Sequence, residues 1–220
     1  MKFTIQRETL LHPITQVVGV VERRQTLPVL ANFLISARGG KLSITGTDME
    51  VELITTVDAA VDSEGEATVP ARKLVDIVRM LPEGVKITAV AEGDKMTVSS
   101  GKGRYTLATL PATEFPATDQ VETLETINIQ EDKLKNLLDK TAFAMAAQDV
   151  RYYLNGLLFD FHDNTLSTVA TDGHRLAICD LGTDIGIAEA RQLIVPRKGV
   201  LELTRMLSDS SDIVELALGK

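Results

Sequence analysis

Tryptophan is absent from the chain, cysteine occurs once and histidine three times. A single thiol, Cys179, excludes an internal disulfide, and three scattered histidines offer no metal-ligand spacing. Cys179 lies in the apolar run Leu176-Ala177-Ile178-Cys179, where it reads as a small buried hydrophobe. Long apolar runs are missing too. Nothing approaches the roughly eighteen uninterrupted residues of a membrane helix, and the opening MKFTIQRETL lacks the apolar centre of a signal peptide. These absences lead to the expectation of a cytoplasmic protein with neither metal nor cofactor. Base is in deficit: 23 Lys and Arg stand against 31 Asp and Glu, a net charge of −8 that at first argues against a phosphate-rich partner. Catalytic signatures are equally scarce, with no Walker loop, no Gly-x-Ser-x-Gly, no His-Glu-x-x-His and no dinucleotide glycine fingerprint.

What is present is a long repeat. The segment QDVRYYLNGLLFDFHDNTLSTVATDGHRL, residues 148–176, reads as a strand, a turn at Asp163-Asn164 and a second strand. The same outline occurs 124 positions earlier, where Leu30-Ala31-Asn32-Phe33-Leu34 matches Leu154-Asn155-Gly156-Leu157-Leu158 and Thr47-Asp48 matches Thr171-Asp172. Upstream, Phe3, Ile5, Leu10, Ile14 and Val18 fall on Ile127, Ile129, Leu134, Leu138 and Ala142. Downstream the offset grows by two, and PARKLVDIVRML at 70–81 matches PRKGVLELTRML at 196–207. A period this long means duplicated domains and not a solenoid. A fainter offset of 54, Lys41-Leu42-Ser43-Ile44 against Lys95-Met96-Thr97-Val98, divides the first unit into two copies of strand, helix and three strands.

Apolar spacing predicts helices over 7–24, 71–81, 131–147 and 197–207, and strands over 3–6, 30–37, 41–45, 50–57, 67–70, 85–91, 95–99, 104–110, 154–161 and 166–170. Residues 111–126 hold two prolines, four acids and no base, and read as extended chain. The expected organisation is a complete first domain over 1–120, a linker over 121–126, and a second domain over 127–220 that lacks the counterpart of the last two strands of the first.

Charge is unevenly placed. The four predicted helices carry twelve bases and seven acids, leaving eleven bases and twenty-four acids for the remainder. If the apolar stripes face the sheets, Arg23, Arg24, Arg72, Lys73, Arg79, Lys133, Lys135, Lys140, Arg197, Lys198 and Arg205 face away from them. The bland account is a set of solvated helix faces. The repeated placement of Arg72-Lys73 and Arg197-Lys198 after a proline favours loose, sequence-independent contact with phosphates. Asp172 and His174 are the best catalytic pair the sequence offers, but in a tight turn Asp172 is expected to bond to backbone, with Gly173 at positive φ. The adjacent Tyr152 and Tyr153 suit either packing beside a strand or a surface contact.

TLPVLANFL, LSITGTDMEVEL, TVPARKL, QDVRYYLNG, ATDGHRLA and IVPRKGV stand in an order and spacing that resemble the bacterial sliding clamp family, the beta subunits of DNA polymerase III, and the resemblance covers all 220 residues. It implies an α+β DNA-clamp fold of tandem domains with helices on one face of antiparallel sheets. It also implies a non-catalytic processivity factor: a head-to-tail homodimeric ring of six domains that encircles duplex DNA in the bacterial cytoplasm, at the nucleoid. Carried over by position, Arg24 and Gln148 would lie on loops touching DNA, Arg72, Arg197, Lys198 and Arg205 on helices lining the channel, and Tyr152 and Tyr153 near the DNA path. Leu154, Thr171, Gly173, His174, Arg175 and Leu176 would wall a pocket for a short Gln- and Leu/Phe-containing peptide. That peptide would come from the polymerase III alpha subunit, the clamp loader, other polymerases or repair proteins. Ile77, Leu81, Lys102, Arg104, Tyr105 and Leu107 would meet the third domain of another subunit. No third domain is found in the sequence, so the expectation is an N-terminal fragment that closes no ring and leaves those six residues without a partner. The alternative is a naturally short decoy that takes partner peptides without encircling DNA.

Overall fold

The computed structural model describes residues 1–21, 27–116, 122–182 and 190–219. The chain divides into two units, Met1–Ala117 and Thr118–Lys220. Unit 1 runs β1 (Lys2–Gln6), α1 (Arg7–Val17), β2 (Asn32–Arg38), β3 (Lys41–Thr47), β4 (Glu52–Asp58), β5 (Ala60–Ser63), β6 (Gly65–Pro70), α2 (Ala71–Met80), β7 (Lys86–Glu92), β8 (Lys95–Ser100) and β9 (Gly103–Ala108). Its two antiparallel sheets have the orders β4-β3-β2-β6 and β5-β1-β7-β8-β9. The inner repeat is thus visible, with an exchange. The strand that opens each copy leaves its own meander and pairs with that of the other: β6 with β2, and β1 with β7.

Local chemistry accounts for most elements. Gly39 and Gly40, at φ +55° and +73°, make the two-residue turn between β2 and β3, and Asp163 and Asn164 repeat it in unit 2 at +45° and +59°. In α2, Ala71, Leu74, Val75, Ile77 and Val78 are buried while Arg72, Lys73, Asp76 and Arg79 are exposed, as an amphipathic spacing dictates. Arg7 opens α1 and closes α2: its Nε donates to Val78 O at 3.1 Å, beside the Leu81 N–H at 3.4 Å, and its Nη2 to Arg79 O at 3.1 Å, in the last turn where carbonyls lack i+4 donors. The core of unit 1 gathers Phe3, Ile5, Leu10 and Ile14 with Phe33, Ile35, Leu42 and Ile44 from one sheet and Ile87, Met96 and Val98 from the other.

Unit 2 repeats the plan with β10 (Thr123–Gln130), α3 (Glu131–Thr141), β11 (Gly156–His162), β12 (Thr165–Thr171), β13 (Leu176–Gly182), β14 (Arg191–Pro196), α4 (Arg197–Met206) and β15 (Ile213–Gly219). Its sheets are β13-β12-β11-β14 and the pair β10-β15. Ile129 lies opposite Val214 as Ile5 lies opposite Ile87. Leu134, Leu137 and Leu138 of α3 pack with Leu157, Phe159, Phe161 and Leu166 in a second core.

Two sequence expectations are corrected and one strand is added. The first helix of each unit is shorter than apolar spacing suggests: α1 stops at Val17 and continues as turns, and α3 stops at Thr141, followed by a 3-10 turn at Ala142–Ala144. Thr141 is fully buried, and its hydroxyl donates back to Leu137 O at 2.7 Å and lies 3.2 Å from Thr168 Oγ1, a local alternative to further helix. The chain over 111–126 is not all linker, because Ala112–Glu114 form a 3-10 turn and β10 already starts at Thr123, where pairing with β15 overrides the polar composition. Finally β5, four residues with no apolar run, forms because β1 offers it an edge. Cys179 is half-buried against the core of unit 2.

Candidate nucleic-acid and peptide sites

The loop between α3 and β11 is built by its own side chains. Asn155 closes it, accepting from the Asp149 N–H at 2.9 Å through Oδ1 and donating to Asp149 O at 2.8 Å through Nδ2. Ala146 N–H donates to Leu154 O at 3.0 Å. Inside the loop Asp149 grips Arg151: Oδ1 takes the Arg151 backbone N–H at 2.8 Å and Nε at 3.0 Å, and Oδ2 takes Nη2 at 2.9 Å. The Arg151 guanidinium, then the backbone bond, holds the Asp149 carboxyl down to about 2. This frame fixes Gln148 in the left-handed region at φ +59° and presents Val150, Tyr152 and Tyr153 outward at 97%, 83% and 52% exposure. The two tyrosine rings meet edge to face, centroids 5.9 Å apart.

The basic helix faces are less available than charge counting suggests. Arg72 Nη2 donates to Val21 O at 2.7 Å, and Arg197 Nη1 to Met145 O at 3.1 Å. Lys135 pairs with Asp209 at 2.7 Å, and Arg205, itself exposed, pairs with the buried carboxylate of Glu202. Lys198 is half-buried on the first turn of α4, and Lys73, Arg79, Lys133 and Lys140 are exposed. Arg23 and Arg24 lie outside the described residues.

The turn from β12 to β13 carries the peptide-pocket candidates. Thr171 Oγ1 donates to Arg175 O at 2.7 Å and accepts from Gly173 N at 3.1 Å, while Asp172 Oδ1 accepts from the N–H groups of His174 at 2.9 Å and Arg175 at 3.0 Å. Those backbone bonds, ahead of the charge of Arg175, keep the Asp172 carboxyl below its usual range. Asp172 Oδ2 takes Arg175 Nε at 2.9 Å, so both oxygens are engaged away from the His174 ring and the pair forms no acid-base couple. Arg175 is further steadied over the Phe143 ring, 5.6 Å from its centroid. Gly173 sits at φ +88°, and a Cβ there would lie 3.3 Å from Arg151 Nη2, so this turn and the 146–155 loop abut. His174, Arg175 and Leu176 are exposed, Leu176 at 62%, and Leu154 is buried at 8%. Unit 1 contains the same turn: Thr47 Oγ1 donates to Val51 O, Asp48 Oδ1 accepts from Glu50 and Val51, and Met49 takes the left-handed position at φ +80°.

The six interface candidates separate by burial. Ile77, Leu81 and Leu107 are 8%, 7% and 6% exposed in the core of unit 1, and Tyr105 packs against it. The apolar face of α2 and the inward residues of β9 close on their own unit. Lys102, in the turn before β9, and Arg104, on β9 at the end of its sheet, are exposed. Sequence reasoning misses Asp149, Asn155 and Phe143 as site-building residues. The Asp-Val-Arg spacing was a usable signal for the first, since an i to i+2 acid-base pair on a loop invites a local bond.

Meanders flanked by an exchanged leading strand, two in unit 1 and one in unit 2, with amphipathic helices packed on them, are the architecture of the DNA-clamp class of α+β proteins. Residues 1–119 match the family model for the N-terminal domain of the DNA polymerase III beta subunit, and residues 128–220 match the model for its central domain. The chain belongs to the DNA polymerase III beta subunit family. It is 51% identical over 221 residues to the beta sliding clamp of Pseudomonas putida, an alignment that takes in 100% of this chain and 60% of that protein. A crystal structure of the DNA polymerase III subunit beta from Pseudomonas aeruginosa superimposes with a TM-score of 0.95 at 52% identity, covering 100% of this chain and 60% of the other. A second structure from that organism, described as a sliding clamp bound to griselimycin, gives 0.94 at 52%, with the same coverage. The chain thus spans about 60% of the length of the curated relatives it matches. Among the described residues no helix is long and apolar enough to cross a membrane.

Proposed function

We propose that the chain provides two domains of a sliding clamp: a processivity factor that performs no chemistry, encircles duplex DNA as a head-to-tail homodimeric ring, and tethers the replicative polymerase in the bacterial cytoplasm at the nucleoid. The observation that carries this reading is the 51% identity to a beta sliding clamp maintained over the full 220 residues. Topological tethering suits an acidic protein, because a ring needs only weak attraction to the phosphates inside it.

On this reading the DNA-facing set is Arg24, Arg72, Gln148, Tyr152, Tyr153, Arg197, Lys198 and Arg205. The partner-peptide set is Leu154, Thr171, Gly173, His174, Arg175 and Leu176, and it receives a short Gln- and Leu/Phe-containing segment from the polymerase III alpha subunit, the clamp loader, other polymerases or repair proteins. Exposed Leu176 beside a turn pinned by Asp172 offers an apolar surface with fixed polar neighbours, which is what such a peptide needs. Lys102 and Arg104, with Ile77, Leu81, Tyr105 and Leu107 behind them, form the edge that meets another subunit.

Fluorescence anisotropy with a linear duplex tests the DNA reading. Binding is expected to be weak and to fall steeply with salt, with a log–log slope of about −0.9 per phosphate contact. Gln148→Ala and Arg24→Ala each weaken it. Tight binding that salt does not touch overturns the reading. For the peptide site, Leu176→Ala lowers the affinity of a Gln-Leu-Phe-containing peptide by about tenfold, the equivalent of about 1.4 kcal/mol of lost apolar burial.

A further inference from the structure

Val21 and Met145 occupy equivalent positions in the two units, 124 residues apart, each four residues past the last residue of the first helix. Both residues are buried, at 1% and 2% exposure, and both carbonyls lie past the end of a helix, where no intrahelical N–H reaches them. An unmet buried carbonyl is costly, and each is met by a guanidinium: Arg72 Nη2 at 2.7 Å from Val21 O, Arg197 Nη1 at 3.1 Å from Met145 O. The two arginines are not equivalent. Arg72 is the second residue of α2 and Arg197 the first of α4, and by the duplication Arg72 corresponds to Lys198 while Arg197 corresponds to Ala71. One contact is therefore made twice from different positions, which marks the contact as the thing required.

In unit 2 the tether is doubled. The Arg197 backbone N–H donates to Asn155 O at 2.9 Å, so a single residue fastens the entry of the 146–155 loop through its side chain and the exit through its main chain. Asn155 in turn closes on Asp149, whose neighbour Gln148 holds a left-handed backbone. A phosphate-binding arginine presents its donors to solvent. Arg197 is half-buried and directs one into the fold.

We propose that Arg197 acts as a positioning residue, bracing the root of the 146–155 loop through the carbonyl of Met145, as Arg72 holds the equivalent carbonyl of Val21, so that Arg197 contributes to DNA binding through Gln148 and the tyrosine pair and not through a phosphate. The proposal rests on the reading that the 146–155 loop touches duplex DNA, and its test keeps the two separable.

The measurement is duplex affinity across a salt series for the whole chain and for Arg197→Met, Arg197→Lys, Gln148→Ala and the double variant Arg197→Met with Gln148→Ala, with Arg72→Met as the unit 1 counterpart. Thermal unfolding of each variant checks folding. Arg197→Met is expected to lower affinity about fivefold to tenfold with the salt slope unchanged, Lys restores most of it by supplying one donor to Met145 O, and the Met effect shrinks below about twofold once Gln148 is gone. In the same variant the Asp149 carboxyl, followed by NMR, rises from about 2 toward ordinary carboxylate values as the loop loosens. A slope reduced by about 0.9, with effects that add to those of Gln148→Ala, identifies Arg197 as a phosphate ligand and overturns the proposal. So does unchanged affinity. If the unaltered chain binds no duplex, the DNA reading fails, and an unmoved Asp149 titration in Arg197→Met then rejects the bracing role as well.

Discussion

Met49 and Gly173 hold the same place in the same turn, and their exchange gives effects of opposite sign. Both have left-handed backbones, φ +80° and +88°, imposed by Asp48 and Asp172 binding the next N–H groups. A non-glycine residue there costs about 1–2 kcal/mol of steric strain, whereas glycine costs about 0.5–1 kcal/mol of extra unfolded-state entropy. Met49 is 64% exposed, so its side chain has little burial to lose. Met49→Gly is therefore expected to stabilise unit 1 by about 0.5–1 kcal/mol. Gly173→Met reverses the sign by a similar amount and adds the displacement of Arg151, whose Nη2 lies 3.3 Å from the new Cβ. Native-state hydrogen exchange resolves the two units: amides of β3 and β4 exchange about twofold to fivefold more slowly in Met49→Gly, and those of β12 and β13 faster in Gly173→Met. Unchanged or faster exchange in Met49→Gly refutes the strain argument.

Phe161 is fully buried in the core of unit 2, so Phe161→Ala lowers stability by about 3–5 kcal/mol in urea titration, and a loss below about 1 kcal/mol contradicts the packing described. The Asp149 carboxyl titrates near 2 in the folded chain. A depressed folded value makes its contribution to loop stability complete above the unfolded value of about 3.9 and lost as pH falls through about 2, so carbon-13 NMR showing a midpoint near 4 removes the Arg151 contact. Asn155→Leu breaks both bonds to Asp149 at a cost of about 1–3 kcal/mol, and limited proteolysis then cuts within residues 147–154 sooner than in the unaltered chain; equal rates deny Asn155 its closing role.

Legibility in the sequence followed locality. The hairpin turns at Gly39-Gly40 and Asp163-Asn164, the Pro-led starts of α2 and α4, and the Asp172 turn are written in adjacent residues, and they appear where those residues place them. Apolar spacing runs past the ends of α1 and α3 because valine and alanine continue it, and at α3 the helix stops where Thr141 meets Thr168, 27 residues away. For the 146–155 loop the sequence leaves Tyr152 and Tyr153 open between packing and surface contact, and its frame is not legible. Its frame depends on Arg197, 52 residues from Met145, and on the reciprocal Asp149–Asn155 bonds, none of which leaves a periodic trace. Charge counting likewise overstated the free base on the helices, since Arg7, Arg72 and Arg197 use guanidinium donors to satisfy carbonyls of the fold.

The exchange of leading strands makes unit 1 resemble two molecules fused into one. Without β6, the meander β2-β3-β4 loses one flank, and without β1, the meander β7-β8-β9 loses its own, so neither half retains its sheet. A chain cut between β5 and β6 yields two peptides that are each incomplete in the same way and complementary to one another. Mixed, they should reassemble as a heterodimer, and apart, each should seek a second copy of itself with which to trade leading strands.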